Sequence, residues 1–311
     1  MTPSLPQTNR NHESAKRSFV VLPFIIVCSV ACAGCIMFGN PTLWLANAEN
    51  LPDTRPPASG FLEAPTAAPL KGDFKQLDCI GEYKAISQSD QEDRATNLKL
   101  AAQSINGYEI KPGETMSVNS LFGDTEHDDR YKMAAVINDA KLEEGRGGGI
   151  CQVSTALYIA ALRANLEIVE RHPHSFVTDY APIGLDATLV YGVMDLRIKN
   201  NTDTSVFVGA EALGQSVEVK LYGHASSGGI SVDATSKVLE CYDATGAKVS
   251  AVQNGETPPA TDKSIFYVTE SSRTYYQDGV KMRSDHLSTD TYEVPPSATV
   301  VLAEGSVDPT K

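Results

Sequence analysis

From Phe19 to Phe38 the chain carries no charge and is almost wholly apolar. That run matches the roughly 20 residues needed to cross a bilayer core. It is therefore set apart from any water-soluble fold that follows. Arg10, Lys16 and Arg17 precede it, and no basic residue follows before Arg55. The positive-inside rule then puts the N-terminus in the cytoplasm and everything after residue 40 outside. Trp44, the single tryptophan, falls where an interfacial aromatic would sit. The expectation is a cytoplasmic tail over residues 1–17, a single-pass transmembrane helix or signal anchor over 18–39, and an extracytoplasmic folded part. The alternative is a cleaved signal peptide, since Ala46-Asn47-Ala48 fits a small-x-small site. That site lies well past Phe38, and the apolar run is long for a signal peptide, which favours the uncleaved anchor. Cys32-Ala33-Gly34-Cys35 imitates a lipoprotein site poorly.

The net charge is -13, although Arg10, Lys16 and Arg17 against Glu13 make the N-terminal end basic. The remainder is thus more acidic than the whole, which argues against nucleic acid as a partner of the folded part. Residues 40–74 hold Pro41, Pro52, Pro56, Pro57, Pro65 and Pro69 without apolar periodicity. They read as an extended linker. Of the six cysteines, Cys28, Cys32 and Cys35 lie inside the apolar run. Cys79, Cys151 and Cys241 remain, an odd set for an oxidising compartment. Either none is paired or one is left over. If one pair forms, Cys79 with Cys241 would leave Cys151 free.

The periodicity predicts a helix over residues 91–106, with Ser89 and Glu92 as a capping box and Ala95, Leu98, Ala101, Ala102 and Ile105 on one face. Gly107 would stop it. A turn at Lys111-Pro112-Gly113-Glu114 leads to a strand over 115–119, and residues 134–137 read as another. A second helix is expected from Cys151 to about Asn165, because Gly147, Gly148 and Gly149 do not fit a helix interior. Strands are then expected at 166–171, 175–180, 187–191, 196–199, 206–209 and 217–222. Beyond residue 225, strand patterns at 238–242, 265–268 and 273–276 and a hairpin turn at Asp278-Gly279 suggest a small β module without a catalytic cluster, with His286 on its surface. The fold class is α+β: helices packed on a mostly antiparallel sheet over residues 75–224, with the β module at 225–311.

The segment with most chemical content is Gly147-Gly148-Gly149-Ile150-Cys151-Gln152-Val153-Ser154-Thr155. A cysteine opening a helix sits near unpaired N–H groups and the positive end of the helix dipole, which favours the thiolate. The backbone N–H groups from Gly148 to Gln152 could stabilise an oxyanion. A buried, inert cysteine behind a tight turn is the structural alternative. His172-Pro173-His174 and Asp186 follow. Thiolate, base and a carboxylate to orient the base are the parts of a cysteine enzyme. In this reading Cys151 is the nucleophile, His174 the base and Asp186 its orienting group. Gly148, Gly149, Gln152, Ser154, Thr155, Arg171 and His172 would line the substrate groove. No cofactor is expected. A zinc site using His172 and His174, completed by Cys151 or Asp186, is a second chemical reading. A non-catalytic groove with Cys151 merely packing is a third.

These residues resemble the VanW family of bacterial cell-envelope proteins. The similarity runs from about Lys111 to Gly223. It includes Lys111-Pro112-Gly113-Glu114, Ser117-x-Asn119, the Gly-Gly-Gly-Ile-Cys-Gln segment, Glu170-Arg171-His172-Pro173-His174-Ser175, Pro182-x-Gly184-Leu185-Asp186-Ala187-Thr188, Tyr191-Gly192, Asp195-Leu196 and Lys199-Asn200-Asn201-Thr202. Gly81-Glu82-Tyr83 and the helix ending at Gly107 are similar to the family's lead-in, and residues 225–311 resemble a β extension often attached to it. Val118 stands where the family usually has Phe, and Asp129-Arg130-Tyr131 replaces a Gly-Tyr step. The resemblance implies a bacterial surface protein, in a family named from vancomycin-resistance clusters. It implies peptidoglycan as the neighbourhood, and the cysteine-enzyme reading would then act on a peptide of peptidoglycan or of a surface protein. It supplies no reaction.

Overall fold

The structure, a computed structural model, describes residues 77–138, 141–225, 229–249 and 264–295. The expected tail, membrane helix and linker at 1–17, 18–39 and 40–74 lie outside the described residues. Among the described residues no helix is long and apolar enough to cross a membrane. In chain order the elements are β1 (Asp78–Ile86), α1 (Glu92–Ile105), β2 (Glu109–Ile110), β3 (Thr115–Ser117), α2 (Val118–Phe122), β4 (Met133–Asn138), β5 (Lys141–Arg146), α3 (Cys151–Arg163), β6 (Glu167–Glu170), β7 (Arg197–Lys199), β8 (Val206–Leu213), β9 (Ser216–Gly223), β10 (Ile230–Asp243), β11 (Lys248–Val249), β12 (Ile265–Gln277) and β13 (Val280–Val294).

The strands form antiparallel sheets in the orders β1-β9-β8-β2, β3-β7-β6, β4-β5 and β11-β10-β12-β13. Helix α1 packs on β8, and α3 packs on β1 and β9. Because α3 also meets β6 and β10, it is enclosed on several sides. Every residue from Gln152 to Leu162 is buried, so α3 has no polar face. Leu98, Ile105, Ile110, Met116, Leu157, Ile159, Leu162 and Leu166 fill the space between helices and sheets. Each such side chain stabilises the fold by about 1.5–3 kcal/mol. A second cluster of Ile183, Cys241, Ile265, Tyr267, Tyr292 and Val294 lies against β10, β12 and β13.

Several local expectations are corrected. The capping box does not form: the residue before α1 is Gln91, it makes no side-chain cap bond, and the Ser89 hydroxyl accepts the Gln91 N–H instead. Arg94 and Asn97, rather than Ala95, complete the buried face of α1. The strand from Thr115 ends at Ser117, whose hydroxyl caps α2 by accepting the Ser120 N–H. Residues 175–180 and 187–191 are not strands. The first touches β13 through the Phe176–Glu293 bridge, and the second closes a turn through Val190–Met194. The patterns at 265–268 and 273–276 are two parts of one long strand, β12. Cys79 and Cys241 are both free, the former exposed on β1 and the latter buried, so the suggested disulfide is absent. The Asp278-Gly279 hairpin is present, with positive φ at both residues as such a turn requires.

Candidate functional site

The start of α3 is built by three glycines, each with something at its back. A side chain on Gly148 would meet the backbone of Ala134 at 2.6 Å, so the loop can pass β4 only without one. Gly149 has a φ of +104°, and a side chain there would meet Arg94 Cγ at 2.8 Å. Asn97, fully buried on α1, fixes this loop. Its amide donates to the carbonyls of Gly148 at 2.9 Å and Lys132 at 3.0 Å, and its oxygen accepts the Lys132 N–H. The turns use up part of the expected oxyanion donors. The N–H groups of Gly148, Ile150 and Gln152 bond to the carbonyls of Gly145, Gly147 and Gly149. Those of Gly149 and Cys151 are the ones these turns do not use.

Cys151 is half-buried at the first position of α3. Its sulfur accepts the Leu189 N–H at 3.4 Å and lies 3.7 Å from the Thr188 hydroxyl. The backbone that delivers these groups is pinned to α3. Ser154 donates to the Ala187 carbonyl at 2.6 Å, and the Ala187 N–H donates to the Thr155 hydroxyl at 3.0 Å. Thr188 N–H bonds to the His172 carbonyl.

His174 is 7 % exposed and Asp186 2 %. The Asp186 carboxylate takes both the His174 N–H, at 2.7 Å, and the His174 ring at Nδ1, at 2.6 Å. That leaves Nε2 as the nitrogen available to Cys151. On its other oxygen Asp186 accepts the Tyr292 hydroxyl at 2.6 Å and Arg171 Nη2 at 3.1 Å. Arg171 also bonds the Asp186 carbonyl and the Asp290 carboxylate, at 2.6 and 2.5 Å. A buried carboxylate is tolerable only with this many donors.

The electrostatics agree with the geometry. Burial pushes the Cys151 thiol up, but the hydrogen bond and charge of His174, with the Leu189 N–H and the Thr188 hydroxyl, bring it below its ordinary value. Burial works against a charged His174, but Asp186 and Cys151 outweigh it and raise the imidazole. Burial also penalises the Asp186 charge, yet His174, Arg171 and Tyr292 hold its carboxyl below the usual range. These three shifts describe a thiolate–imidazolium pair backed by a carboxylate.

The structure thus brings Cys151, His174 and Asp186 together. Other predicted site residues sit elsewhere. Gln152, Ser154 and Thr155 are fully buried, which contrasts with the expected place in a substrate groove. Gln152 donates to the carbonyls of Ala85 and Gln215. The Arg171 side chain, 6 % exposed, lies behind Asp186 and contacts no open surface of note. His172 turns to Glu170, with Nε2 2.9 Å from Oε1. The two imidazoles therefore have different carboxylate partners, and among the described residues no group of three His, Cys, Asp or Glu side chains is placed to hold a metal. The donor set of the zinc reading is not assembled. Sequence reasoning missed Arg94, Tyr180, Asp290 and Tyr292. Only the helical phase of Arg94, three residues before Asn97 and four before Leu98, pointed inward in advance.

Residues 93–222 match the family described as VanW like protein. The chain is 37 % identical over 143 residues to the uncharacterized protein YoaR of Bacillus subtilis, covering 46 % of this chain and 47 % of that one. It is 39 % identical over 118 residues to the vancomycin B-type resistance protein VanW of Enterococcus faecalis, covering 36 % and 43 %. The match spans less than half the length of each of these curated relatives. No solved structure matches the chain. Cys151, His174 and Asp186 fall inside the matched segment and Asp290 and Tyr292 outside it; over residues 93–222 this chain is VanW-like.

Proposed function

We propose that this chain is a cysteine-dependent acyl-transfer enzyme of the bacterial cell envelope, acting on a peptide of peptidoglycan or of a surface protein. The observation that carries the reading is the half-buried Cys151 sulfur beside the His174–Asp186 pair, whose ring and carboxylate are 2.6 Å apart. Packing alone requires neither an oriented imidazole nor a lowered thiol pKa, whereas a nucleophile requires both.

In this reading the Cys151 thiolate attacks a carbonyl carbon and forms a C–S bond. The carbonyl oxygen becomes an oxyanion facing the free N–H groups of Gly149 and Cys151. Collapse breaks the C–N bond, and the His174 imidazolium gives its proton to the departing amine. Water, or an acceptor amine, then attacks the thioester while His174 takes the proton of the incoming nucleophile. The leaving group is the Cys151 thiolate, so the resting pair is restored. Asp186 stays ionised throughout and holds the ring.

The cell-envelope setting is supported by the apolar run 19–38 behind three basic residues, which would tether the domain outside the membrane by residues 18–39. The name of the Enterococcus faecalis relative supports a link to vancomycin resistance at the level of the family. The test is a Cys151→Ala chain expressed in place of the native one. Loss of the cellular phenotype of the intact chain, at unchanged protein level, is the expected result. Full function in the Ala variant would move the reading to a non-catalytic cell-wall binding module, which retention of cell-wall pull-down by that variant would support.

A further inference from the structure

Arg94 is a buried cation at this site that the acyl-transfer reading does not use. It lies on the buried face of α1 and is 7 % exposed. Among the described residues its guanidinium makes one hydrogen bond, Nη1 to the Gln215 side-chain oxygen at 2.9 Å. Among the described residues no carboxylate is within ion-pair distance of it. The nearby Asp179 carboxylate is instead taken by the Ser87 hydroxyl and the Gln88 N–H, at 2.9 and 2.8 Å. Buried arginines are ordinarily paired, because an uncompensated charge away from water is costly. Among the described residues Arg94 has no direct ion pair, and the charges nearest to it act at longer range.

Its position is specific. The side chain fills the space that a Gly149 side chain would need, with Nε 3.2 Å and Cζ 3.4 Å from that point. Gly149 is two residues from Cys151. The guanidinium also lies 6.0 Å from the centre of the Tyr180 ring, itself half-buried. Burial lowers the Arg94 pKa, while Tyr180, Asp179 and the Cys151 sulfur pull it up, so Arg94 and the thiol lie within electrostatic reach of each other. The result is a buried cation with unused N–H donors beside a nucleophile, in reach of both a glycine loop and an aromatic ring.

We propose that Arg94 is a carboxylate-binding group of the Cys151 site, so that the acyl substrate carries a free carboxylate seated near Gly149 and Tyr180. This rests on the acyl-transfer reading and adds the substrate class to it. A guanidinium presents parallel N–H groups that match the two oxygens of a carboxylate. Peptides ending in a free carboxylate fit, and amidated or internal peptide segments do not.

The test compares iodoacetate with iodoacetamide as alkylating agents of Cys151 in the full chain, read at that residue by peptide mass spectrometry. Iodoacetate carries its carboxylate on the reacting carbon and so samples the space beside the sulfur. The ratio of the two rates cancels any change in thiolate fraction, and N-acetylcysteinamide gives the ratio of an unassisted thiol. The wild-type ratio should exceed that reference by about tenfold, the equivalent of one charge-assisted hydrogen bond. Arg94→Gln should remove most of the excess while iodoacetamide still reacts, the rest being the share of the His174 imidazolium, and Arg94→Lys should keep more of it. A wild-type ratio equal to the reference, which needs no variant to fold, would overturn the subsite and leave the nucleophile intact. An excess undiminished in Arg94→Gln would also overturn it. A folded chain in which neither reagent labels Cys151 would end both the subsite and the acyl-transfer reading.

Discussion

The Tyr292 hydroxyl donates to the Asp186 carboxylate at 2.6 Å, although 106 residues separate them. Tyr292 lies on β13, beyond the segment matched to the family, and is 1 % exposed. The strands after residue 230 therefore reach the group that orients His174. Replacing Tyr292 by Phe leaves Asp186 one donor short without changing the shape of the ring. The expected cost is about 1–3 kcal/mol in denaturant unfolding. The same change should raise the pH at which Cys151 becomes reactive. Asp186 would hold its charge less firmly, and the His174 imidazolium would be less well supported.

Arg171 joins Asp186 to Asp290, and all three side chains are nearly inaccessible to solvent. Arg171→Met would leave two buried carboxylates facing each other without their shared cation. The expected loss is about 3–5 kcal/mol, measured by chemical unfolding at neutral pH. A loss under 1 kcal/mol would mean that solvent reaches these carboxylates far more than their burial implies.

The Asp186 carboxyl sits below its ordinary pKa because His174, Arg171 and Tyr292 outweigh the penalty of burial. A carboxyl depressed in the folded state contributes stability that is present above its unfolded pKa of about 3.9. That contribution is lost as pH falls through the folded value. Denaturant midpoints should therefore fall steeply below about pH 4 in the native chain. Asp186→Asn should start lower at neutral pH and follow a flatter curve in acid. Parallel curves for the two proteins would show that the acid dependence has another source.

Two glycine substitutions separate packing from conformation. At Gly148 a methyl group would strike the Ala134 backbone at 2.6 Å, so either β4 or the start of α3 must shift. Gly148→Ala should destabilise by about 1–3 kcal/mol and slow Cys151 alkylation. Gly113 has a φ of +76° but open space around it. Gly113→Ala should cost about 1 kcal/mol and leave Cys151 unaffected. Equal effects of the two on alkylation rate would disconnect the glycine loop from the site.

Helices α1 and α3 were legible because their apolar spacing and the glycines at 107 and 147–149 mark periodicity and ends, whereas the single-turn α2 was read as part of a strand. The order cysteine, histidine, aspartate was legible too, since α3 and the two following segments each carry one group. What the sequence concealed has a common physical cause. Residues 187–191 alternate like a strand, but their backbone groups are satisfied by Ser154, Thr155, the His172 carbonyl and the Cys151 sulfur instead of a neighbouring strand. Residues 175–180 likewise bond to β13 only around Glu293. Side-chain partners replace the ladder, and alternation cannot distinguish the two. The Ser154 and Thr155 side chains, read as groove-lining, are those partners. Tyr292 and Asp290 were invisible for a different reason: a long-range contact between separate sheets leaves no local pattern.

The most direct test of the account is the pH dependence of Cys151 alkylation by iodoacetamide in the folded chain, followed at that residue by mass spectrometry, in the native protein and in His174→Ala. A thiolate held by His174 predicts reaction persisting well below the ordinary thiol pKa of about 8.5, and a shift back toward or above that value when the imidazole is removed. An ordinary thiol profile in the native protein, unchanged in His174→Ala, would contradict the account and make Cys151 a packing residue.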